Sequence, residues 1–392
     1  MSTNISSRKI TKFDWGGLLT GSLPTGCEQC LQGAKLVLFV TGKCGNPICG
    51  PYCPISLERR GKDVFYANER RLGKKNSAWT LKEIISEAVN AESEGASFTG
   101  GNPLLVADRV IELGKGLKRH LGDDFHLHLY APARHLQKKR LNDLCSTIDE
   151  LRLHLTSLSE LSTLEQVFRM SWEVGIEVPA FPGQEDFLRG LAKWLERITS
   201  RYEKKAFLNI NELEYSESNF QFFQEIGFKR KNGSIAAVAG SSITAKAIVE
   251  WASKELEQTT VHYCPSAAKD AVQLPNRLLR LARNVAEPFD IIREDGPHRG
   301  LLIRGVIRGL GPLTEQQEEI LRTILHVDLE IPHEQVVWDI KKKRFLVNPI
   351  ILEDLAVEIR KLGEDRSLNL QMGIIEEYPT ADGLQTEFDP LP

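Results

Sequence analysis

The sequence contains no run of about 18 apolar residues, the least that a membrane-spanning helix needs. Its opening, MSTNISSRKITKFDWGG, has no apolar core of a secretory signal, so a cytoplasmic protein with no membrane partner is expected. Net charge is only −3, which excludes a bulk electrostatic pull toward nucleic acid or an acidic membrane. There is no internal repeat and no low-complexity tract. Cysteine is scarce, with seven residues in 392. An odd count in a reducing compartment argues against a disulfide framework. Apolar content of 41% and charged content of 26% are those of an ordinary globular protein, long enough for one large domain and a smaller one.

What is present is concentrated. Cys27, Cys30, Cys44, Cys49 and Cys53 fall within 27 residues, and clustered thiols inside a cell point to metal. Cys145, in a helical pattern, reads as core. Cys264 stands alone in sequence.

Short apolar runs alternate with amphipathic stretches. Strands are predicted over 34–42, 96–101, 125–130, 150–155, 176–181, 206–214 and 260–264. Helices are predicted over 79–95, 106–121, 135–145, 162–175, 183–201 and 243–257. Thr80 and Glu83 have capping-box spacing. This alternation predicts an α/β fold, a parallel sheet closed into a full or partial (β/α) barrel, with chemistry at the C-terminal strand ends. The rhythm changes near residue 285. Strand 299–307, helix 313–327, hairpin 336–347 and helix 351–363 make a small C-terminal α+β domain. The expected boundaries are an N-terminal extension over 1–33 with the CxxC pair, the barrel over 34–284, the accessory domain over 285–372, and a disordered acidic tail over 373–392.

The stretch KCGNPICGPYCPIS (43–56) places Cys44, Cys49 and Cys53 just after the first long strand. Four thiolates close a structural zinc or iron–sulfur site, whereas three leave a metal position open for a ligand. A zinc knuckle completed by Cys27 or Cys30 is the plain alternative, but zinc loops favour CxxC pairs and this trio has none.

The loop resembles the cluster loop of radical S-adenosylmethionine (SAM) enzymes. The spacing here is four residues and then three, where that family usually has three and then two. The wider pattern, including CEQCLQGAKLVLFVTG, FYANERR, FTGGNPLL and DFHLHLY, resembles archaeal members related to pyruvate formate-lyase activating enzymes, over roughly residues 25–285. The resemblance implies a partial (β/α) barrel of the radical SAM type. It implies a [4Fe–4S] cluster on Cys44, Cys49 and Cys53 that cleaves SAM reductively, and hydrogen abstraction from a substrate by the resulting 5′-deoxyadenosyl radical. An aromatic residue before the last cysteine, here Tyr52, would lie by the adenine. Thr99-Gly100-Gly101-Asn102-Pro103 would meet the methionine moiety, its glycines letting backbone approach the ligand. An electron donor such as ferredoxin or flavodoxin would supply the electron. The substrate class stays open among a protein, RNA and a small molecule. The alternative from another class is a non-catalytic zinc or iron–sulfur scaffold.

Other residues carry two readings each. Cys27 and Cys30 are either buried thiols or, with His262 and Cys264, ligands of a second cluster or zinc. His262 and Cys264 alternate on one strand face. Only an N-terminal segment folding back would unite them with Cys30; otherwise Cys264 is a candidate catalytic thiol. His126 and His128 are a metal pair or pocket lining. His154, Asn209 and Asn211 are candidates for the SAM or substrate pocket, with Glu177 of the same kind and Glu212 and Glu214 on the opposite face. Arg59, Arg60, Lys62, Arg70, Arg71, Lys74 and Lys75 form a basic loop, either solvated or gripping phosphates. Neither these cations nor those of 263–283 make the regular aromatic–basic pattern of an RNA platform.

Overall fold

The computed structural model describes residues 7–45, 49–73 and 77–392. Asn46, Pro47 and Ile48 of the cysteine loop, and Lys74 and Lys75 of the basic loop, lie outside the described residues. The chain forms two compact units, Met1–Leu274 and Pro275–Pro392.

The first unit contains β1 (Ile10–Lys12), β2 (Leu18–Thr20), α1 (Thr25–Leu31), β3 (Lys35–Thr41), β4 (Phe65–Ala67), β5 (Arg70–Leu72) and α2 (Ser77–Asn90). There follow β6 (Gly95–Gly100), α3 (Ala107–Leu121), β7 (His126–Pro132), α4 (Lys138–Cys145), β8 (Glu150–His154), α5 (Glu165–Phe168) and β9 (Glu173–Ala180). The unit continues with α6 (Glu185–Tyr202), β10 (Ala206–Glu212), α7 (Phe220–Glu225), α8 (Ser241–Glu255) and β11 (Thr260–Cys264). One mixed sheet of eleven strands runs in the order β1-β2-β11-β10-β9-β8-β7-β6-β3-β4-β5. The seven strands from β11 to β3 are mutually parallel, as strands joined by long crossovers must be. Antiparallel hairpins extend both edges.

The two faces of this sheet differ. Leu36, Leu38, Phe98, Leu127, Leu129, Leu151, Leu153, Ile176, Leu208, Ile210 and Val261 belong to one apolar core with the helices. The other face carries many polar residues, and Lys35, Ser97, His128, Glu150, Arg152, Asn209 and His262 are all buried. Period-two alternation in strands buried on both sides therefore encodes a buried polar face.

Several expectations need correction. Residues 7–33 are not a separate extension, because β2 pairs with β11 and α1 lies against the polar face. The helix expected over 162–175 shortens to α5. The sequence EVGIEVPA has period two, and its pairing with β8 claims Glu173 onward as strand. Helix α2 begins at Ser77, so Thr80 lies inside it and is not its cap.

The second unit holds α9 (Leu274–Val285, reaching back across the boundary), β12 (Ile291–Ile292), β13 (Leu302–Gly309), α10 (Glu315–Thr323), β14 (Val336–Asp339), β15 (Arg344–Val347), α11 (Pro349–Asp365), β16 (Leu370–Glu377) and β17 (Gln385–Pro390). The strands form one antiparallel sheet with α11 packed on its apolar side. The tail expected to be disordered supplies β17 and most of β16. The two acidic residues at the end of β16 are not free solvating charges: Glu376 pairs with Arg293, and Glu377 with Arg304, Lys342 and Arg344.

Candidate active site

The loop that follows β3 is held from several directions. Arg60 donates to Gly50 O at 2.5 Å, Ser218 Oγ to Cys53 O at 2.8 Å, and Asn219 Nδ2 to Tyr52 O at 3.1 Å. Ser218 and Asn219 belong to an excursion after β10 in which Leu213, Phe223 and Val238 make a small core against Tyr52 and Phe181. Tyr52 meets the Phe181 ring edge-on at 5.0 Å, and its hydroxyl lies 2.9 Å from His154 Nε2. His154 Nδ1 lies 3.2 Å from Glu177 O, so that nitrogen donates, and Nε2 is left to accept from the phenol.

The three thiols of the loop influence one another. A hydrogen bond with Cys49, the Ile55 backbone N–H and the Arg60 cation pull Cys53 down to about 6, against the opposing effect of burial. The same hydrogen bond and burial push Cys49 up. Burial and the nearby Cys53 raise Cys44. A proton-poor sulfur beside two further thiols suits metal ligation, which requires thiolates.

The Gly100-Gly101 turn does its work against protein. Gly100 has φ +136, and Gly101 N donates to Thr41 O at 2.7 Å. A Cβ on Gly101 would stand 2.4 Å from Lys43 O and 2.8 Å from the Gly42 carbonyl carbon. The glycines therefore let the end of β6 press on the backbone that enters the cysteine loop. Thr99 pairs with Phe39. Asn102 is buried; its Oδ1 accepts from Leu104 N at 3.1 Å and its Nδ2 donates to His135 Nδ1 at 2.7 Å, so Pro103 starts a fixed turn. The residues present fit a three-thiolate cluster beside a backbone cradle.

On the polar face a second constellation is centred on Arg152. Its guanidinium bonds Glu150, Glu177 Oε2 at 2.8 Å, Tyr130 Oη at 3.3 Å and Cys27 Sγ at 3.3 Å. Glu177 Oε1 accepts from Asn211 Nδ2 at 2.9 Å, and Asn209 Oδ1 lies 2.7 Å from His262 Nδ1. Asn211 is paired in register with Cys264. Burial pushes Cys27 up to about 12. Burial first, then the proximity of Cys27 and Cys30, pushes Cys264 well up. The returning N-terminus thus brings the CxxC pair to the same face as Cys264.

His126, His128 and Glu150 place one donor atom each within 4.8 Å of one another. Lys35 Nζ, however, lies 2.6 Å from His128 Nδ1 and Arg152 holds Glu150, so two cations already occupy that group. Glu212 accepts from Ser266 N and Oγ, and Glu214 pairs with Lys269, which makes both structural. In the basic loop Arg59 stacks on Tyr66 and Arg70 pairs with Glu83. Ser218 and Asn219 have no sequence mark, and Arg60, marked only as one cation of the basic loop, turns to Gly50 O instead; these loop contacts arise only on folding.

A thiol trio after the first parallel strand, braced by a Gly-Gly turn after the second, is the arrangement expected of a radical SAM enzyme. The chain is 36% identical over 381 residues to a putative glycyl-radical enzyme activating enzyme of Methanocaldococcus jannaschii, covering 94% of this chain and 93% of that one. It belongs to the radical SAM family, among the relatives of glycyl-radical enzyme activating enzymes, and is an enzyme. Residues 300–391 match a family described as a domain of unknown function (DUF8061). Among solved structures, Streptococcus suis SuiB bound to S-adenosylmethionine matches with a TM-score of 0.41 at 10% identity, over 59% of this chain and 50% of that one. The radical SAM methyltransferase TsrM of Kitasatospora setae, with tryptophan and a SAM analogue, matches with a TM-score of 0.34 at 12% identity, over 53% and 43%. Among the described residues, no helix is long and apolar enough to cross a membrane.

Proposed function

We propose that the chain binds a [4Fe–4S] cluster through Cys44, Cys49 and Cys53 and activates a polypeptide substrate by removing a hydrogen atom from it. The observation that carries this reading is the contact of Gly101 with the backbone of residues 41–43, which joins the thiol loop and the turn after β6 into one site. When bound, the cluster and SAM supply reductive cleavage of the sulfonium and a 5′-deoxyadenosyl radical. The chain's own part is binding, orientation and exclusion of water. The backbone of Thr99–Pro103 offers polar groups beside the thiols. Tyr52, fixed by His154 and Phe181, presents a ring against which a purine can stack. Asn209 and Asn211 present amides for hydroxyl groups, held in place by His262 and Glu177. The name of the 36% identical relative favours a protein substrate over RNA or a small molecule. A ferredoxin or flavodoxin supplies the electron.

The test is anaerobic. Purified protein reduced with dithionite should convert SAM to 5′-deoxyadenosine and methionine, and the variant with Cys44, Cys49 and Cys53 all replaced by Ala should not. Continued formation of 5′-deoxyadenosine by the folded triple variant would refute the assignment.

A further inference from the structure

Cys27 and Cys30 lie on α1, which the sheet seats on its polar face. Gly26 N donates to Glu150 Oε2 at 3.0 Å, and Lys35 Nζ donates to Gly26 O at 2.7 Å. A Cβ at Gly26 would stand 2.4 Å from His128 Nδ1 and 2.7 Å from both Arg152 NH2 and Lys35 Nζ, so the helix is pressed fully home. The other side of α1 meets residues 269–273, the turn that follows β11, from which Gln273 Nε2 reaches to 3.9 Å from Cys264 Sγ. Cys27 and Cys264 thereby flank one connected group: Cys27 Sγ to Arg152, Arg152 to Glu177, Glu177 to Asn211, and Asn211 beside Cys264.

We propose that Cys27, Cys30 and Cys264 hold a second iron–sulfur cluster on this face, distinct from that of the Cys44–Cys53 loop, with His262 Nε2 as its fourth donor.

Three features support the site. First, two buried cations, Arg152 and Lys35, stand on this face, and Arg152 lies 3.3 Å from Cys27 Sγ, a donor that a metal-bound thiolate can accept from. Second, His262 is 2% exposed and its Nε2 is buried with no hydrogen-bond partner. Its Nδ1 faces the Asn209 carbonyl oxygen, which fixes the proton on Nδ1 and leaves a lone pair on Nε2. A metal-binding histidine is commonly oriented in this way by a neighbour on its other nitrogen. Third, the spacing favours a cluster over a single ion. Thiolates around one zinc at ~2.3 Å stand ~3.8 Å apart. Among the described residues, the three sulfurs are not all within 4.8 Å of one another. A cluster binds each thiolate through a different iron and so tolerates wider separation.

The experiment reconstitutes the full chain anaerobically with ferrous iron and sulfide. In the background of Cys44→Ala, Cys49→Ala and Cys53→Ala the protein should keep about four irons and four sulfides per chain and a brown colour. Adding Cys27→Ala and Cys30→Ala should remove them, and adding His262→Ala should change the electron paramagnetic resonance spectrum of the reduced cluster. A folded triple variant without iron, or one holding a single zinc and no colour, would overturn the proposal. If that variant does not fold, the wild-type chain and a Cys27→Ala, Cys30→Ala variant decide: about eight irons falling to about four support the second cluster, and an iron content unchanged by the two substitutions excludes it. SAM cleavage by the wild-type chain is read separately, so failure of the proposed function and failure of this site are distinguishable.

Discussion

The Tyr52 hydroxyl lies 2.9 Å from His154 Nε2, a contact between residues 102 positions apart that ties the cysteine loop to the end of β8. Because His154 is in turn fixed on Glu177 O, the phenol ring has one orientation. Tyr52→Phe should cost ~0.5–1.5 kcal/mol. A double-mutant cycle with His154→Phe, followed by denaturant unfolding, should show coupling of similar size; additive losses would mean that the contact does not hold the loop.

The Gly101 contact decides what a substitution there does. Since a Cβ would meet Lys43 O at 2.4 Å, Gly101→Val should displace the start of the cysteine loop. Bound iron and 5′-deoxyadenosine formation are expected to fall together. A variant that keeps full iron content but loses SAM binding would instead place the glycine against the ligand alone.

Asn219 is buried and bonds Tyr52 O, Glu214 O and Ser216 N at once. Asn219→Ala leaves these groups unpaired, at ~1–3 kcal/mol. Iron should be released to a chelator faster than from wild type, while secondary structure by circular dichroism is unchanged. An unaltered release rate would show that the excursion after β10 does not clamp the loop.

Glu173 should make the fold sensitive to pH. Burial, then the negative Glu150, raises its carboxyl from 4.5 to about 7. Between those values the folded state binds the extra proton, so this group's contribution to stability falls as pH rises through that window. Glu173→Gln should remove the slope and stabilise the protein at pH 8 by ~1–2 kcal/mol, discounting the full shift for partial exposure. Unfolding midpoints across this range would reveal an unchanged slope if the assignment is wrong.

The cysteine trio, the glycine turn and most strands are legible in the sequence because their meaning lies in local spacing. Lys35, His128, Glu150, Arg152, Asn209 and His262 alternate with apolar neighbours, so an inward polar set can be anticipated, although its pairing cannot. The partners of that set are distant: Cys27 and Arg152 are separated by 125 positions, and Ser218 and Cys53 by 165. The return of the N-terminus is illegible for the same reason. Three-residue strands such as Ile10–Lys12 and Leu18–Thr20 carry too little periodicity to be read, and their hairpin joins the sheet only through the distant β11. The C-terminal strands were hidden by charge, since acidic residues signal disorder until the buried arginines that neutralise them are placed.

The pairing of β2 with β11 also has a cost in time. Arg8 donates to Thr259 O across 251 positions, so the first strands have no seat until nearly the whole first unit has left the ribosome. At about 5–20 residues per second that interval is roughly 12–50 s. Throughout it the nascent chain exposes the unpaired edge of β2, while α1, with Cys27 and Cys30, gains its seat on Lys35, His128, Glu150 and Arg152 only after residue 152 is made. Chaperone attendance early in synthesis, and iron delivery late, are what such a chain order demands of the cell that makes it.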